Sequence, residues 1–376
     1  MNTLRPSDQL SILSSAKRVV IKVGSNILVD DRQISPSRIA EISSDIVSLM
    51  QKGVEVVLVT SGAVATGLGK MGKSKRPREL RVLQMAAAIG QGTLMNYYSE
   101  NFAKYDINVG QVLLTHDDFH NRTRFLNLRN SVNTMLSSKV VPIVNENDVI
   151  SVDELKFGDN DALASLLAIM IDADALILLT STNGLYSEIK SETRISSLPA
   201  ITKDTLGLAE GKTSEFSTGG MLSKLSSAAS AAKAGLAVVI APGRTEQIAS
   251  KVISGEDIGT FIYPSPKESI LGKKRWIKYF PRTQGTIVVN DNAIPALVNE
   301  KRSLLAVGIT QVIGKFDTGD LVSIFSGSNV EIARGLVTCD STMIDRVKGL
   351  STSEIHQLLS VTSFDEVICR DNLVTL

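Results

Sequence analysis

Short aliphatic runs alternate, over roughly the first 260 residues, with segments whose apolar residues have helical spacing. Several runs are almost continuously apolar, which is typical of strands covered on both faces. The predicted strands are 18–23, 54–60, 108–113, 140–145, 175–180 and 237–241. The predicted helices are 36–51, 84–102, 124–137, 161–171 and 221–234. This alternation predicts an α/β fold, a three-layer α/β/α sandwich with a mainly parallel central sheet.

The pattern changes near Pro264 and Pro266, where turn residues and the basic run 273–275 predict a linker. Shorter β-patterned segments follow at 285–289, 304–306, 311–313, 320–324 and 333–338. The glycines and aspartates of 314–320 tolerate tight turns, and they predict a hairpin there. We therefore expect an N-terminal extension at 1–16, an α/β domain at 17–265, a linker at 266–274, a small mostly β domain at 275–355 and a tail at 356–376.

Composition narrows the class of protein. The 376 residues carry a net charge of +1, which gives no general attraction to nucleic acid or membranes. Two cysteines fit a reducing compartment, and no apolar run is long enough to span a bilayer. With three histidines and no cysteine near them, a zinc site or a histidine-based triad is disfavoured. A cytoplasmic, non-membrane protein is expected.

Small and polar residues follow the predicted strands. Since the carboxyl ends of parallel strands meet at one edge of a sheet, these residues are expected to share a ligand site. Glycines there let backbone N–H groups approach an anion, and helix N-termini favour negative charge. The segments concerned are Lys22-Val-Gly24-Ser25-Asn26, Thr60-Ser61-Gly62-Ala63, Asn145-Glu-Asn-Asp148, Thr180-Ser181 and Ala241-Pro-Gly243.

Two lysines are candidates for holding a phosphoryl group. Lys22 interrupts an apolar strand just before Gly24, where it could place its ammonium group on phosphate oxygens. The alternative is an edge-strand lysine that reaches solvent. Lys224 ends the segment Thr218-Gly219-Gly220-Met221-Leu222-Ser223-Lys224 and lies one turn into a helix. The segment is not a Walker A motif, so the pair suggests a phosphate clamp of another kind.

Two clusters of acids and amides, at 145–148 and 158–161, are expected to converge at the same edge. They could hold an ammonium group, orient a metal-nucleotide, or do both. For Asp159 and Asp161, which begin a predicted helix, capping alone is the alternative.

These motifs together closely resemble the glutamate 5-kinases of the amino acid kinase family. The resemblance covers nearly the whole chain in order, and the segment from Arg275 to about Leu350 resembles a PUA domain. The matching motifs are KVGSNIL at 22–28, VTSGAVATG at 59–67, AAIGQG at 87–92, VGQVLLT at 109–115, RFLN at 124–127, VPIVNENDVI at 141–150, GDNDALAS at 158–165, NGLY at 183–186 and STGGM at 217–221.

The resemblance also implies roles for individual residues. Lys22 and Lys224 would contact ATP phosphates and stabilise transition-state charge, and Asp161 would organise both lysines without taking a proton. Glutamate would be held by Ser61, Asn145, Asp148 and Asn160. The nucleotide site would also include Gly24, Thr180, Ser181, Thr218, Gly219, Gly220, Met221, Leu222 and Ser223. Ser181 stands where many relatives have Asp, and Asn26 replaces a usual hydroxyl residue.

The activity implied is ATP-dependent phosphorylation of the γ-carboxylate of L-glutamate, with ATP as co-substrate, Mg²⁺ as cofactor and no assigned protein ligand to metal. This would be the first step of proline biosynthesis, inhibited by proline, with glutamyl phosphate reductase as a hand-off partner. A homo-oligomer is expected.

Three alternatives stay open. Another amino acid kinase, for acetylglutamate or aspartate, fits less well because of the PUA-like segment and NENDVI at 145–150. An RNA-binding protein acting through its PUA domain is the alternative from another class, although a net charge of +1 offers little electrostatic footprint. A Rossmann dehydrogenase fits poorly because no GxGxxG follows the first strand.

Overall fold

The computed structural model describes residues 6–30, 33–73, 75–151, 160–187, 193–208, 220–266, 273–280, 283–359 and 366–376. These residues fall into two compact units, one within 1–118 and 122–268 and the other within 119–121 and 269–376. No helix among the described residues combines the length and the apolar character that crossing a bilayer requires.

An eight-stranded sheet forms the centre of the first unit, in the order β5-β6-β4-β1-β7-β9-β10-β8. All its pairings are parallel except that of β10 with β9, so the prediction of a mainly parallel sheet is confirmed. A two-stranded ribbon pairs β2 with β3. The strands are β1 (Arg18–Val23), β2 (Val29–Asp30), β3 (Gln33–Ile34), β4 (Glu55–Val59), β5 (Val109–Leu114), β6 (Val141–Glu146), β7 (Ala175–Thr180), β8 (Ser197–Leu198), β9 (Ala237–Pro242) and β10 (Thr260–Ile262).

Helices cover both faces of the sheet. Successive residues of the central strands point to opposite faces, and both sets are apolar. Ile21 and Ile177 lie in one core cluster with Ile46, and Val20 and Leu176, which alternate with them, are equally buried. The helices are α1 (Pro6–Ser14), α2 (Ser25–Leu28), α3 (Pro36–Gln51), α4 (Ala63–Lys70), α5 (Leu80–Ala103), α6 (Asp117–His120), α7 (Arg122–Ser137), α8 (Asn160–Met170), α9 (Lys203–Gly207), α10 (Met221–Lys233) and α11 (Ile248–Ile253).

The N-terminal segment, expected to be an extension, contributes helix α1 to the first unit. Leu13 of this helix is fully buried in the main core cluster, so α1 packs as part of the first unit. The position of Lys22 excludes one alternative from the sequence, that of a lysine on an edge strand. Its strand β1 lies between β4 and β7 and is therefore central, which excludes an edge-strand lysine.

Helices α4 and α5 cross with their backbones in contact. A Cβ built on Gly67 would lie 1.8 Å from the carbonyl oxygen of Ala86, and one on Gly90 would lie 1.8 Å from that of Ala63. Only glycine fits these two positions. The crossing fixes the start of α4, which follows a turn at Gly62 with a φ of 104°.

The second unit is a small, mostly β fold with a five-stranded sheet in the order β12-β11-β13-β14-β15. Phe119 joins it by accepting a hydrogen bond from Trp276 Nε1 at 3.1 Å. Its elements are α12 (Lys273–Tyr279), β11 (Gly285–Val289), α13 (Ala293–Val298), a 3₁₀ helix (Ala306–Gly308), β12 (Ile309–Ile313), β13 (Leu321–Ser326), β14 (Glu331–Leu336), α14 (Ser341–Val347), α15 (Thr352–Leu359), a second 3₁₀ helix (Arg370–Asn372) and β15 (Leu373–Thr375).

Three expectations for this unit are corrected. Residues 314–320 do not form a hairpin, because the strands they join, β12 and β13, lie on opposite sides of β11. Residues 304–306 do not form a strand; Leu304 makes an isolated bridge with Ile368 before a 3₁₀ helix begins. Finally, part of the expected tail supplies β15, so the unit extends beyond residue 355.

A buried carboxylate joins two helices of the first unit. Asp45, inside α3, accepts hydrogen bonds from the backbone N–H groups of Ala249 at 2.7 Å and Ser250 at 3.0 Å. It also accepts one from Ser250 Oγ at 2.5 Å. These bonds satisfy N–H groups at the start of α11, where a helix has no internal partners for them.

We predict that Asp45→Ala lowers the free energy of unfolding by about 1.5–3 kcal/mol, because charge-assisted bonds are lost and the α11 N–H groups lose their acceptor. Urea unfolding at neutral pH measures the change. Ser44→Ala, at the neighbouring exposed position, is the control. Equal effects of the two substitutions would mean that Asp45 does not hold α11.

Candidate active site

Two lysines share one buried carboxylate at the carboxyl edge of the first sheet. Lys22 Nζ lies 2.6 Å from Asp161 Oδ1, and Lys224 Nζ lies 2.6 Å from Asp161 Oδ2. Lys22 comes from β1, Asp161 from the first turn of α8 and Lys224 from the first turn of α10. The structure thus brings together the three residues that the sequence suggested for phosphate chemistry.

Asp161 has no exposed surface, so its charge is balanced by the two lysines and not by water. Burial alone would raise the pKa of Asp161, but attraction and hydrogen bonds from Lys22 and Lys224 outweigh it and place the pKa well below its ordinary value. Asp161 therefore stays ionised and is a poor proton acceptor. The pKa of Asp161 is lower in the folded protein than in the unfolded chain, where it is about 4. The ion pairs therefore stabilise the fold fully at pH values above about 4, and this stabilisation is lost as the pH falls from there toward the pKa of the folded protein.

A glycine turn lies beside each of the two lysines. A Cβ added to Gly24 would lie 3.6 Å from Lys22 Nζ, and Gly24 is the N-cap residue of α2. Gly220 is the N-cap residue of α10 and precedes Met221, Leu222 and Ser223, of which Leu222 is exposed. Thr218 and Gly219 lie outside the described residues.

On the other side of Asp161 lies a chain of amides. Asn160 Nδ2 is within hydrogen-bonding distance of Thr60 O at 2.6 Å, Ser61 Oγ at 3.0 Å and Asn145 Oδ1 at 2.9 Å. Asn145 Nδ2 in turn donates to Gln91 Oε1 at 2.9 Å. These contacts join α8 to the ends of β4 and β6, so three predicted substrate residues, Ser61, Asn145 and Asn160, lie together.

A buried pair of hydroxyl groups, from Thr60 and Tyr98, lies next to this chain of amides. Thr60 Oγ1 lies 2.9 Å from Tyr98 OH, and Thr60 is fully buried. Burial raises the pKa of the Tyr98 phenol, so this hydroxyl remains protonated and able to donate. The sequence indicated no individual role for Thr60, Tyr98 or Gln91, although Thr60 lies in one of the strand-end segments. Thr60 and Gln91 lie in the VTSGAVATG and AAIGQG motifs, whereas Tyr98 lies in none of the motifs.

The remaining predicted residues lie at the same edge of the sheet without completing the clusters above. Asp148 is half-buried, two residues beyond the end of β6. Thr180 is buried at the end of β7, and Ser181 follows it as an exposed residue. Asp159 lies outside the described residues.

The described residues offer no metal-binding cluster of three or more histidine, cysteine, aspartate or glutamate side chains. Both oxygens of Asp161 are bound to lysines. The donor set described at this site therefore suits an anion held by ammonium groups better than a metal held by carboxylates.

Comparison with known proteins places the chain in a well-populated group. Family models match at 17–242 for the amino acid kinase family and at 285–359 for the PUA domain. A protein named glutamate 5-kinase from Geobacter sp. (strain M21) is 40% identical over 370 residues, which cover 97% of this chain and 99% of that protein. One with the same name from Moorella thermoacetica (strain ATCC 39073 / JCM 9320) is 42% identical over 370 residues, covering 97% of each chain.

Solved structures also align with the chain. Carbamate kinase from Giardia lamblia bound to AMP-PNP is 21% identical, with a TM-score of 0.48, over 67% of this chain and 100% of that chain.

We predict that Asp161→Asn lowers the free energy of unfolding by about 3–5 kcal/mol, because two buried ammonium groups lose their shared counter-charge. The control is the triple variant Lys22→Met/Lys224→Met/Asp161→Leu, which removes all three charges. It should recover most of the lost stability, since an apolar replacement leaves no unpaired buried charge. Chemical denaturation at pH 7 measures both, and equal stability of Asp161→Asn and the unmodified protein would contradict the prediction.

Proposed function

Because the chain belongs to the amino acid kinase family and carries a PUA domain, with relatives named glutamate 5-kinase along nearly its whole length, we propose that this kinase transfers the γ-phosphoryl group of ATP to the γ-carboxylate of L-glutamate. The products are ADP and L-glutamyl 5-phosphate. The observation that carries the proposal is the Lys22–Asp161–Lys224 triad at two glycine turns.

The triad suits phosphoryl transfer to a carboxylate. The γ-carboxylate of glutamate is ionised near pH 7, so it needs no general base. Asp161, with its lowered pKa, is accordingly suited to hold two ammonium groups rather than to take a proton. In the proposed step a γ-carboxylate oxygen forms a bond to the γ-phosphorus, the bond to the β–γ bridging oxygen breaks, and that oxygen leaves with ADP. Lys22 and Lys224 neutralise the charge on the phosphoryl oxygens.

Magnesium accompanies ATP in this class of reaction. The described residues supply no carboxylate cluster to hold it. The ion would instead arrive on the nucleotide phosphates with its own waters, which is usual for Mg²⁺.

The amide chain supports a glutamate site beside the phosphate site. Asn160 Nδ2 faces the protein, so Asn160 Oδ1 is left as an acceptor with no hydrogen-bond partner among the described residues. An acceptor at this place suits the α-ammonium group of the substrate. Asp148, on the loop after β6, adds a negative charge suited to the same group. Ser61 contributes a hydroxyl next to Asn160.

We also propose the metabolic role that the resemblance suggests, the first step of proline biosynthesis. The product is an acyl phosphate, which is labile, so a reductase that consumes it promptly is the expected partner. RNA binding by the PUA domain stays the alternative from another class.

One assay tests the proposed function directly. Purified protein with ATP and glutamate should form ADP, and added hydroxylamine should trap the product as γ-glutamyl hydroxamate. Aspartate and acetylglutamate in place of glutamate test the other amino acid kinases. Absence of glutamate-dependent hydroxamate, or faster turnover with either alternative, would reject the proposal.

We predict that Lys22→Met and Lys224→Met each lower kcat by about 10²-fold or more, the usual effect of removing one donor that stabilises transition-state charge. The unfolding free energy should be measured in parallel, because both lysines are buried. Lys233→Met, at the other end of α10, is the control. A variant that turns over normally would remove its lysine from the mechanism.

We predict that proline inhibits competitively with glutamate and leaves the apparent KM for ATP unchanged. Proline has the same α-carboxylate and a charged nitrogen, so the Asn160 and Asp148 acceptors could bind it, but it has no γ-carboxylate to phosphorylate. Asp148→Asn should raise the apparent KM for glutamate about 10-fold or more. The same substitution should weaken the inhibition by proline. Initial rates on a grid of proline and glutamate concentrations measure both. Inhibition competitive with ATP would contradict an overlapping site.

A further inference from the structure

Gln91 is a buried polar residue that the proposed mechanism does not use. It lies in the middle of α5 and is 8% exposed. Its Oε1 accepts from Asn145 Nδ2 at 2.9 Å, and Asn145 Oδ1 lies 2.9 Å from Asn160 Nδ2. Gln91 is therefore at one end of the amide chain whose other end is Asn160, in the first turn of α8.

A backbone N–H group fixes which way the side-chain amides of this chain are turned. The N–H of Glu146 donates to Asn145 Oδ1 at 2.9 Å, and a backbone N–H can only donate. The amide nitrogen of Asn145 must then face Gln91, and the Gln91 atom that meets it must be the oxygen. The same logic turns Asn160 Nδ2 toward Asn145 Oδ1 and leaves Asn160 Oδ1 on the other side.

This arrangement leaves Gln91 Nε2 buried without an acceptor among the described residues. Buried donors without partners destabilise a fold and are rare in native structures. Reversing the Gln91 amide would satisfy nothing, because it would set two donors, Gln91 Nε2 and Asn145 Nδ2, against each other. The glutamine therefore cannot be explained by packing, since methionine would fill a similar volume without a buried donor.

We propose that Gln91 is a substrate-positioning residue, whose Oε1 holds the Asn145 amide so that Asn160 presents its carbonyl oxygen to the substrate's ammonium group. The proposal rests on the proposed function and deepens it. Gln91 acts through Asn145 and Asn160 and does not touch the reacting atoms. Without its oxygen, Asn145 Nδ2 has no acceptor at that end, and the Asn145 amide is held only through its oxygen. It can then tilt away from Asn160, which keeps only its contacts with Thr60 O and Ser61 Oγ.

The experiment compares Gln91→Met, which has no side-chain acceptor, with Gln91→Glu, which keeps an acceptor in either protonation state. Gln111→Met, the same substitution at an exposed position on β5, is the control. KM for glutamate, KM for ATP, kcat and the melting temperature are measured for each. Gln91→Met should raise KM for glutamate about tenfold and leave KM for ATP unchanged, as expected for one lost hydrogen bond. Gln91→Glu should stay near the unmodified enzyme.

The melting temperature separates positioning from structure. Gln91→Met removes one unsatisfied donor and creates another, so the melting temperature should change little. A lower melting temperature with both KM values raised would indicate a structural role and overturn the proposal. So would a normal KM for glutamate in Gln91→Met, or equal impairment of Gln91→Glu.

A second readout does not depend on activity. In ¹⁵N-labelled protein the side-chain amide signals of Asn145, assigned with Asn145→Asp, should exchange their hydrogens faster in Gln91→Met than in the unmodified protein. Unchanged exchange would overturn the proposal even if the unmodified protein proves inactive on glutamate. Inactivity of the unmodified protein by itself would reject the proposed function and not the role of Gln91 in holding Asn145.

Discussion

The bond between one carboxylate and two ammonium groups determines how the first unit must be built. Asp161 has no access to water, so neither lysine can be missing or misplaced without leaving a buried charge uncompensated. The end of β1 and the starts of α8 and α10 must therefore meet within hydrogen-bonding distance. Asn160, the adjacent residue, is tied to β4 and β6 by amide contacts. One turn of α8 thus connects the candidate phosphate and substrate sites.

Sequence reasoning predicted the elements best where burial alone decides them. The bounds of β1 and β7 match the expected runs 18–23 and 175–180, because both strands are covered on both faces and read as continuous apolar segments. Helix α5 begins earlier than expected, at Leu80 rather than residue 84. In the second unit the turn residues of 314–320 were read correctly as a turn, but not as a connection that passes β11. Turn composition alone does not decide which strands pair, because the pairing also depends on residues distant in the chain.

For the candidate site, too, some features could be predicted from the sequence and others could not. Lys22, Asp161 and Lys224 could be predicted because charge stands out in apolar or glycine-rich sequence. The burial of both lysines and the sharing of one carboxylate could not, since they depend on three elements far apart in the chain. Gln91 was missed for a related reason. Its place in the AAIGQG motif indicated no role, and a polar residue on a helix is typical of the surface; the contact with Asn145 shows what it binds.

The crossing of α4 and α5 has a consequence for the thermodynamics of binding. At Gly67 and Gly90 no side chain separates the two helix backbones, so this contact cannot adapt by changing rotamers. Residue 91 follows directly and holds Asn145, while Ser61 lies just before α4. The cluster of Ser61, Asn145 and Asn160 therefore lies beside a helix contact that cannot adapt through side-chain rotamers. A small molecule bound against it would lose its own rotational freedom but would order little protein on that side, which favours a modest entropic cost of association.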